Sequence, residues 1–136
     1  MLIKTYGSAV FGVNAAIMTI EVNIVSGIHF FIVGLPDVAV KESQHRIESA
    51  IKSNGFDMPK RKVIVNLAPA DIKKEGSAYD LPMVISILAA TGQVTCHDLD
   101  QFVIMGELSL DGGIRPIKGA LPMAIEARKQ GFRGMI

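Results

Sequence analysis

Lys74-Glu75-Gly76-Ser77-Ala78-Tyr79-Asp80-Leu81 and Gly106-Glu107-Leu108-Ser109-Leu110-Asp111-Gly112-Gly113-Ile114-Arg115-Pro116-Ile117 carry most of the information in this chain. The first is a polar, glycine-containing loop that runs into an almost wholly apolar stretch from Leu81 to Ala90. A helix is predicted to start after Asp80, to accept Pro82 in its first turn and to stop at Gly92. Apolar on nearly every side, it should be buried on most of them. In the second segment, Asp111-Gly112-Gly113 is a hairpin signal between strands predicted over Phe102 to Leu110 and Ile114 to Ile117. The chain then enters a helix from about Lys118 to Gln130, with Pro122 confined to its first turn and Gly131 ending it.

The remaining elements follow from periodicity. Thr19 to Val25 alternates apolar and polar side chains, the pattern of a half-buried strand. Ser26-Gly27 supplies a turn, and Phe30 to Val33 reads as a buried strand ending at Gly34. Ile3 to Phe11 reads as another strand. Asp37 is placed to cap a helix that carries Val40, Gln44, Ile47, Ala50 and Ile51 on one face and stops at Gly55. Lys41, Glu42, His45, Glu48 and Lys52 form its wet face. Lys62 to Leu67 is a strand that ends before Pro69. The fold class is therefore α+β, a mixed sheet with about three helices packed on it, in a single domain over residues 1–136. Gly134-Met135-Ile136 reads as a strand just beginning, so truncation at the C-terminal end is expected, within the N-terminal part of a longer protein.

Composition sets outer bounds. The 136 residues suit one domain with a real core, and 49% are hydrophobic against 20% charged. A net charge of +1 makes no global commitment to nucleic acid or an anionic membrane. Cys96 is the only cysteine, which excludes an internal disulfide and fits a reducing compartment. Lys4 and Thr5 interrupt the opening apolar residues before a signal sequence can form, and no apolar run approaches the roughly 20 residues of a membrane helix. A cytoplasmic location with no membrane partner is expected.

The two opening segments resemble, in order and spacing, the active-site segments of Lon-type serine proteases. Such an enzyme needs a hydroxyl within hydrogen-bond reach of a neutral amine. Laid on that pattern without gaps, the nucleophile position falls on Ala78 and the lysine position on Leu121, so neither group is present. Ser77 and Lys118 are the neighbouring candidates. A one-residue slip at the mouth of a helix turns a side chain by roughly 100°. Ser77 is therefore read as a loop residue and Lys118 as a solvated one, and no catalytic residue is assigned.

The resemblance narrows further. Asn66-Leu67-Ala68-Pro69-Ala70-Asp71, Lys74-Glu75-Gly76 and Asp80-Leu81-Pro82 closely match the magnesium-chelatase-like ATPases of the ComM type. So do Val33-Gly34-Leu35-Pro36-Asp37, Val40-Lys41-Glu42-Ser43, Gly106-Glu107-Leu108 and Pro116-Ile117 with Gly119. The resemblance implies an N-terminal domain of the ribosomal protein S5 domain 2-like fold, shared with the Lon proteolytic domain, ahead of an AAA+ ATPase domain. It also implies a homo-hexamer in which ATP and magnesium drive DNA branch migration during recombination and natural transformation. This chain contains no Gly-x-x-x-x-Gly-Lys-Ser/Thr segment, so no cofactor is assigned to it and ATP belongs to the absent domain. Its partners would be DNA, its own ATPase domain and neighbouring subunits. Two other readings stand beside this one: a Lon-like peptidase with a displaced dyad, and a stand-alone RNA-binding module.

Lys60, Arg61 and Lys62 form the densest basic run, to which Lys73, Lys74, Arg115 and Lys118 could add, giving a candidate DNA-binding set. His29, His45, His97 and Cys96 have no metal-ligand spacing, and no metal site is assigned. Asp71, Glu75 and Asp80 are read as structural, Asp80 as a helix cap and the other two as holding the preceding loop.

Overall fold

The computed structural model describes residues 1–136. Its frame is a long antiparallel pair, β1 (Leu2–Phe11) and β2 (Asn14–Val25), turned at Gly12. Alternation along β2 sends Met18, Ile20, Val22 and Ile24 into the core. β4 (Lys62–Ala68) pairs antiparallel with β2 and sends Val63, Val65 and Leu67 to the same side. β3 (Phe30–Val33) lies parallel to β4. β5 (Phe102–Val103) and β8 (Gly134–Met135) extend the other flank, giving the order β3-β4-β2-β1-β5-β8. The mixed sheet expected from the sequence is present. The turn at Ser26-Gly27 does not fold β3 back onto β2, because β4 occupies the place between them. Nor is β3 buried. It is an edge strand whose Phe31 and Val33 are 43% and 47% exposed.

Helices cover both faces of the sheet. α1 (Val38–Lys41) and α2 (Ser43–Ser53) replace the single helix expected after Asp37, with the break at Glu42. Asp37 does cap, its Oδ1 accepting the Val40 amide at 2.8 Å. α3 (Asp80–Ala90) packs on the inner face of β1 and β2, where the Thr5 and Ser86 hydroxyls meet at 2.9 Å. α4 (Ala120–Lys129) lies on the opposite side, where the Tyr6 ring meets Phe132 edge-on at 5.3 Å. No helix is long and apolar enough to cross a membrane.

The strand expected over Phe102 to Leu110 divides in two. After β5 the chain peels away from β1, and β6 (Glu107–Leu108) pairs instead with β7 (Ile114–Arg115) in a separate hairpin. Gly106 makes the departure possible. Its amide donates to Ala78 O at 2.8 Å and its carbonyl accepts from the Leu81 amide at 3.0 Å. A Cβ at Gly106 would stand 3.0 Å from the Leu81 side chain. The two decisive segments are thus locked together through their backbones.

Candidate functional site

The loop before α3, the end of β1 and the hairpin enclose a groove of about 770 Å³. Ala78 lines it, at the position where the protease pattern calls for a nucleophile. Leu121 does not line it and is 72% exposed. Ser77 and Lys118 both line the groove, yet the Ser77 hydroxyl donates to the Glu107 carboxylate instead of meeting an amine. A serine whose hydroxyl is given to a carboxylate is not an activated Ser-Lys pair. Tyr79 at the floor is 1% exposed, and burial pushes its phenol well above the usual range.

Asp80 is not a helix cap. The capping position is Tyr79, and the Asp80 carboxylate is wholly buried at the junction of α2, α3 and β6. It accepts from Ser43 Oγ at 2.5 Å, from Arg46 Nε at 2.6 Å and Nη2 at 3.0 Å, and from the Leu108 amide at 3.1 Å. Hydrogen bonding to Asp80 and its negative charge raise the Arg46 pKa against the opposing effect of burial. Arg46 was not singled out in the sequence, and Ser43 stood there only as the end of the Val40-Lys41-Glu42-Ser43 run, with no role assigned. Their signal was positional: with Ile47 and Ala50 they lie on the inward face of α2, where a charged residue needs a partner.

The loop before α3 is held by other residues than Asp71 and Glu75, which are both exposed. Lys74 donates its amide to Leu35 O at 2.9 Å and accepts from the Asp37 amide at 3.0 Å, and Asp37 Oδ2 accepts the Gly76 amide at 3.1 Å. Lys74 is also completely buried, with Nζ donating to Pro69 O. Burial lowers its pKa below the ordinary lysine value, with Asp71 opposing. It therefore drops out of the solvent-facing basic set. The other cations do not form one patch either. Lys60, Arg61 and Lys62 sit where β4 begins and Lys73 beyond its far end, roughly 20 Å away along seven strand residues. Lys62 Nζ lies 5.0 Å from the Phe31 ring centroid. Lys73 pairs with Glu75 at 3.6 Å and Arg115 with Glu107 at 3.7 Å, whereas Lys118 has no ion-pair partner. No three His, Cys, Asp or Glu side chains converge as metal ligands would.

A family model described as subunit ChlI of Mg-chelatase matches residues 20–136. An uncharacterized protein of Escherichia coli, YifB, is 47% identical over 124 residues, covering 90% of this chain and 24% of that protein. The competence protein ComM of Haemophilus influenzae is 44% identical over 125 residues, 91% of this chain and 25% of that protein. Lon protease 2 of Thermus thermophilus is 28% identical over 133 residues, 91% of this chain and 16% of that protein. The chain thus spans about a quarter of the length of YifB and ComM. With its mixed sheet and flanking helices, it has the S5 domain 2-like fold of the Lon proteolytic domain.

Proposed function

The chain belongs to the Mg-chelatase subunit ChlI family, and on that premise we propose that it is the non-catalytic N-terminal module of an AAA+ ATPase that processes DNA. The observation that carries this reading is the 44% identity with a competence protein over nearly the whole chain. Competence is the capacity to take up DNA, so the relative's name points to DNA as what the whole protein would work on. The groove favours a non-catalytic role, because the nucleophile position is Ala78 and Ser77 is held by Glu107. ATP and magnesium would be held by the three quarters of the relatives' length that this chain does not span, since nothing here forms a phosphate-cradling loop. The full protein would work in the cytoplasm as a ring of six subunits, with this module positioning DNA or neighbouring copies.

Lys60, Arg61 and Lys62 are the cations left for a DNA contact at one end of the sheet. The test is ATP-driven migration of a four-way junction by the full-length protein, alongside a form lacking residues 1–136 and a form with these three neutralised. The shortened protein should still hydrolyse ATP but lose junction migration. Neutralising three phosphate contacts should flatten the dependence of log affinity on log salt by about 2–3. Full-length protein whose ATPase ignores DNA, or which cleaves an unfolded protein substrate, would overturn the reading.

A further inference from the structure

The end of β1 is an unpaired strand edge. β1 pairs with β2 along its whole length but meets β5 only at Tyr6↔Val103. The Tyr6 carbonyl accepts from the Ile104 amide at 2.8 Å, so Tyr6 directs its backbone groups away from β2. Because this direction alternates along a strand, Ser8 and Val10 turn theirs the same way. By then β5 has ended: the Met105 amide donates to Ile136 O on the far side, and the Gly106 amide donates to Ala78 O in place of a β1 carbonyl. The vacated place is the groove. On that side the Ser8 carbonyl meets only the Tyr79 hydroxyl, at a long 3.5 Å.

We propose that this groove binds an extended, carboxylate-bearing segment of a partner protein, added as a further strand along the end of β1 at Val10 and Phe11, beyond the buried Ser8. Main-chain groups on an open edge recognise another main chain, while the surrounding pockets choose its alternate side chains. The volume of about 770 Å³ lies within the usual range for ligand sites. Ala78 takes up little of the groove, and Met105 and Met123 supply flexible apolar surface that adapts to different side chains. Charge sets the further preference. Glu75 and Glu107 are each matched by a cation, leaving Lys118 as the unmatched charge at the rim. A peptide with an acidic side chain or terminal carboxylate near Lys118 completes the pairing. With no activated nucleophile, the segment is held intact and released intact.

The probe is a fluorescein-labelled hexapeptide of alternating valine and threonine with one central glutamate, titrated into full-length protein without nucleotide. Lys118→Glu changes an exposed side chain and should weaken binding at least tenfold, whereas a probe with lysine at the centre should prefer that variant. Val10→Pro removes the amide that faces the groove without touching the ladder to β2, and should abolish binding. Should Val10→Pro fail to fold, hydrogen exchange on the parent protein replaces it: residues 10 and 11 should exchange more slowly when the probe is bound. Absence of saturable binding, equal affinity in the parent and Lys118→Glu, or unchanged exchange at residues 10 and 11 would overturn the proposal. So would binding of a single-stranded oligonucleotide at the Lys118 groove in place of the peptide, which would assign it to nucleic acid.

Discussion

Removing the charge of Asp80 tests what joins the two decisive segments. The carboxylate has no exposed surface and takes four hydrogen bonds, one from Ser43, two from Arg46 and one from the Leu108 amide. Asp80→Asn keeps the volume and one acceptor oxygen, but leaves the Arg46 guanidinium without its buried counter-charge and with only the exposed Glu42 carboxylate, at 3.7 Å, as an ion-pair partner. Breaking one side of a buried ion pair costs about 3–5 kcal/mol. The Arg46 side chain is 18% exposed, so water recovers part of that, and about 2–3 kcal/mol is expected. Asp80→Ala also orphans the Leu108 amide and Ser43 hydroxyl, and should reach about 3–5 kcal/mol. At this chain length 1 kcal/mol moves the melting temperature by roughly 3–5 °C, so Asp80→Asn should lower it by about 6–15 °C.

The assay is urea unfolding followed by circular dichroism, run as a double-mutant cycle with Arg46→Met. If the two side chains act as a pair, the double variant loses less than the sum of the singles, with coupling of about 1–3 kcal/mol. Coupling below about 0.5 kcal/mol would refute the reasoning, because then Asp80 would matter only through packing and backbone hydrogen bonds.

Gly34→Ala should cost about 3 kcal/mol or more in the same assay, because at φ +106 an added Cβ would stand 2.0 Å from the Leu67 carbonyl oxygen. Lys74→Met should stay within about 1 kcal/mol of the parent or exceed it, since the methionine fills the space without burying a charge. The lowered Lys74 pKa means that the folded state sheds its proton first; stability should therefore rise with pH between the folded value and the ordinary value near 10.4, a rise that Lys74→Met abolishes in denaturant titrations. Asp111 has its pKa lowered by hydrogen bonds from the Ser109 hydroxyl and the Gly113 amide. Its contribution is present above the ordinary carboxylate value and lost as pH falls through the folded one, so the Gly112 and Gly113 amide resonances should shift below about pH 4, and not in Asp111→Asn. Finally, Ala78→Ser with Leu121→Lys should not hydrolyse a fluorogenic peptide, because residue 121 faces solvent and not the groove.

The elements governed by local rules were legible. Period-two alternation marked β2, the run ending before Pro69 marked β4, and Gly55, Gly92 and Gly131, all left-handed, ended their helices where expected. What failed depends on distant partners. Phe30 to Val33 is apolar whether central or at an edge, and only the insertion of β4 between β3 and β2 decides which. Asp80 stands where a capping carboxylate stands, and its true partners lie 34 and 37 residues earlier on α2. Lys73 and Lys74 are adjacent and chemically identical, yet the parallel bridge between Pro36 and Lys74 draws only the second inward. The groove was legible as two motifs, but the open edge of β1 beside it was not, because it exists only where β5 turns away.

The groove keeps its shape through contacts that do not involve the two side chains of the protease pattern. Gly106 meets residue 78 through the backbone oxygen of Ala78, a contact indifferent to the side chain. The loop before it is fastened to the end of β3 by Lys74 and Asp37, and the helix behind it to α2 and the hairpin by Asp80. None of these fastenings uses the side chain of residue 78 or 121. The side chains at residues 78 and 121 can therefore change without loosening the scaffold. The proposed peptide binding rests on what these fastenings leave in place: the end of β1, an apolar floor and the unmatched Lys118. The structural constraint falls on these fastenings, so Asp80, Arg46 and Gly34 should tolerate substitution far less than Ala78.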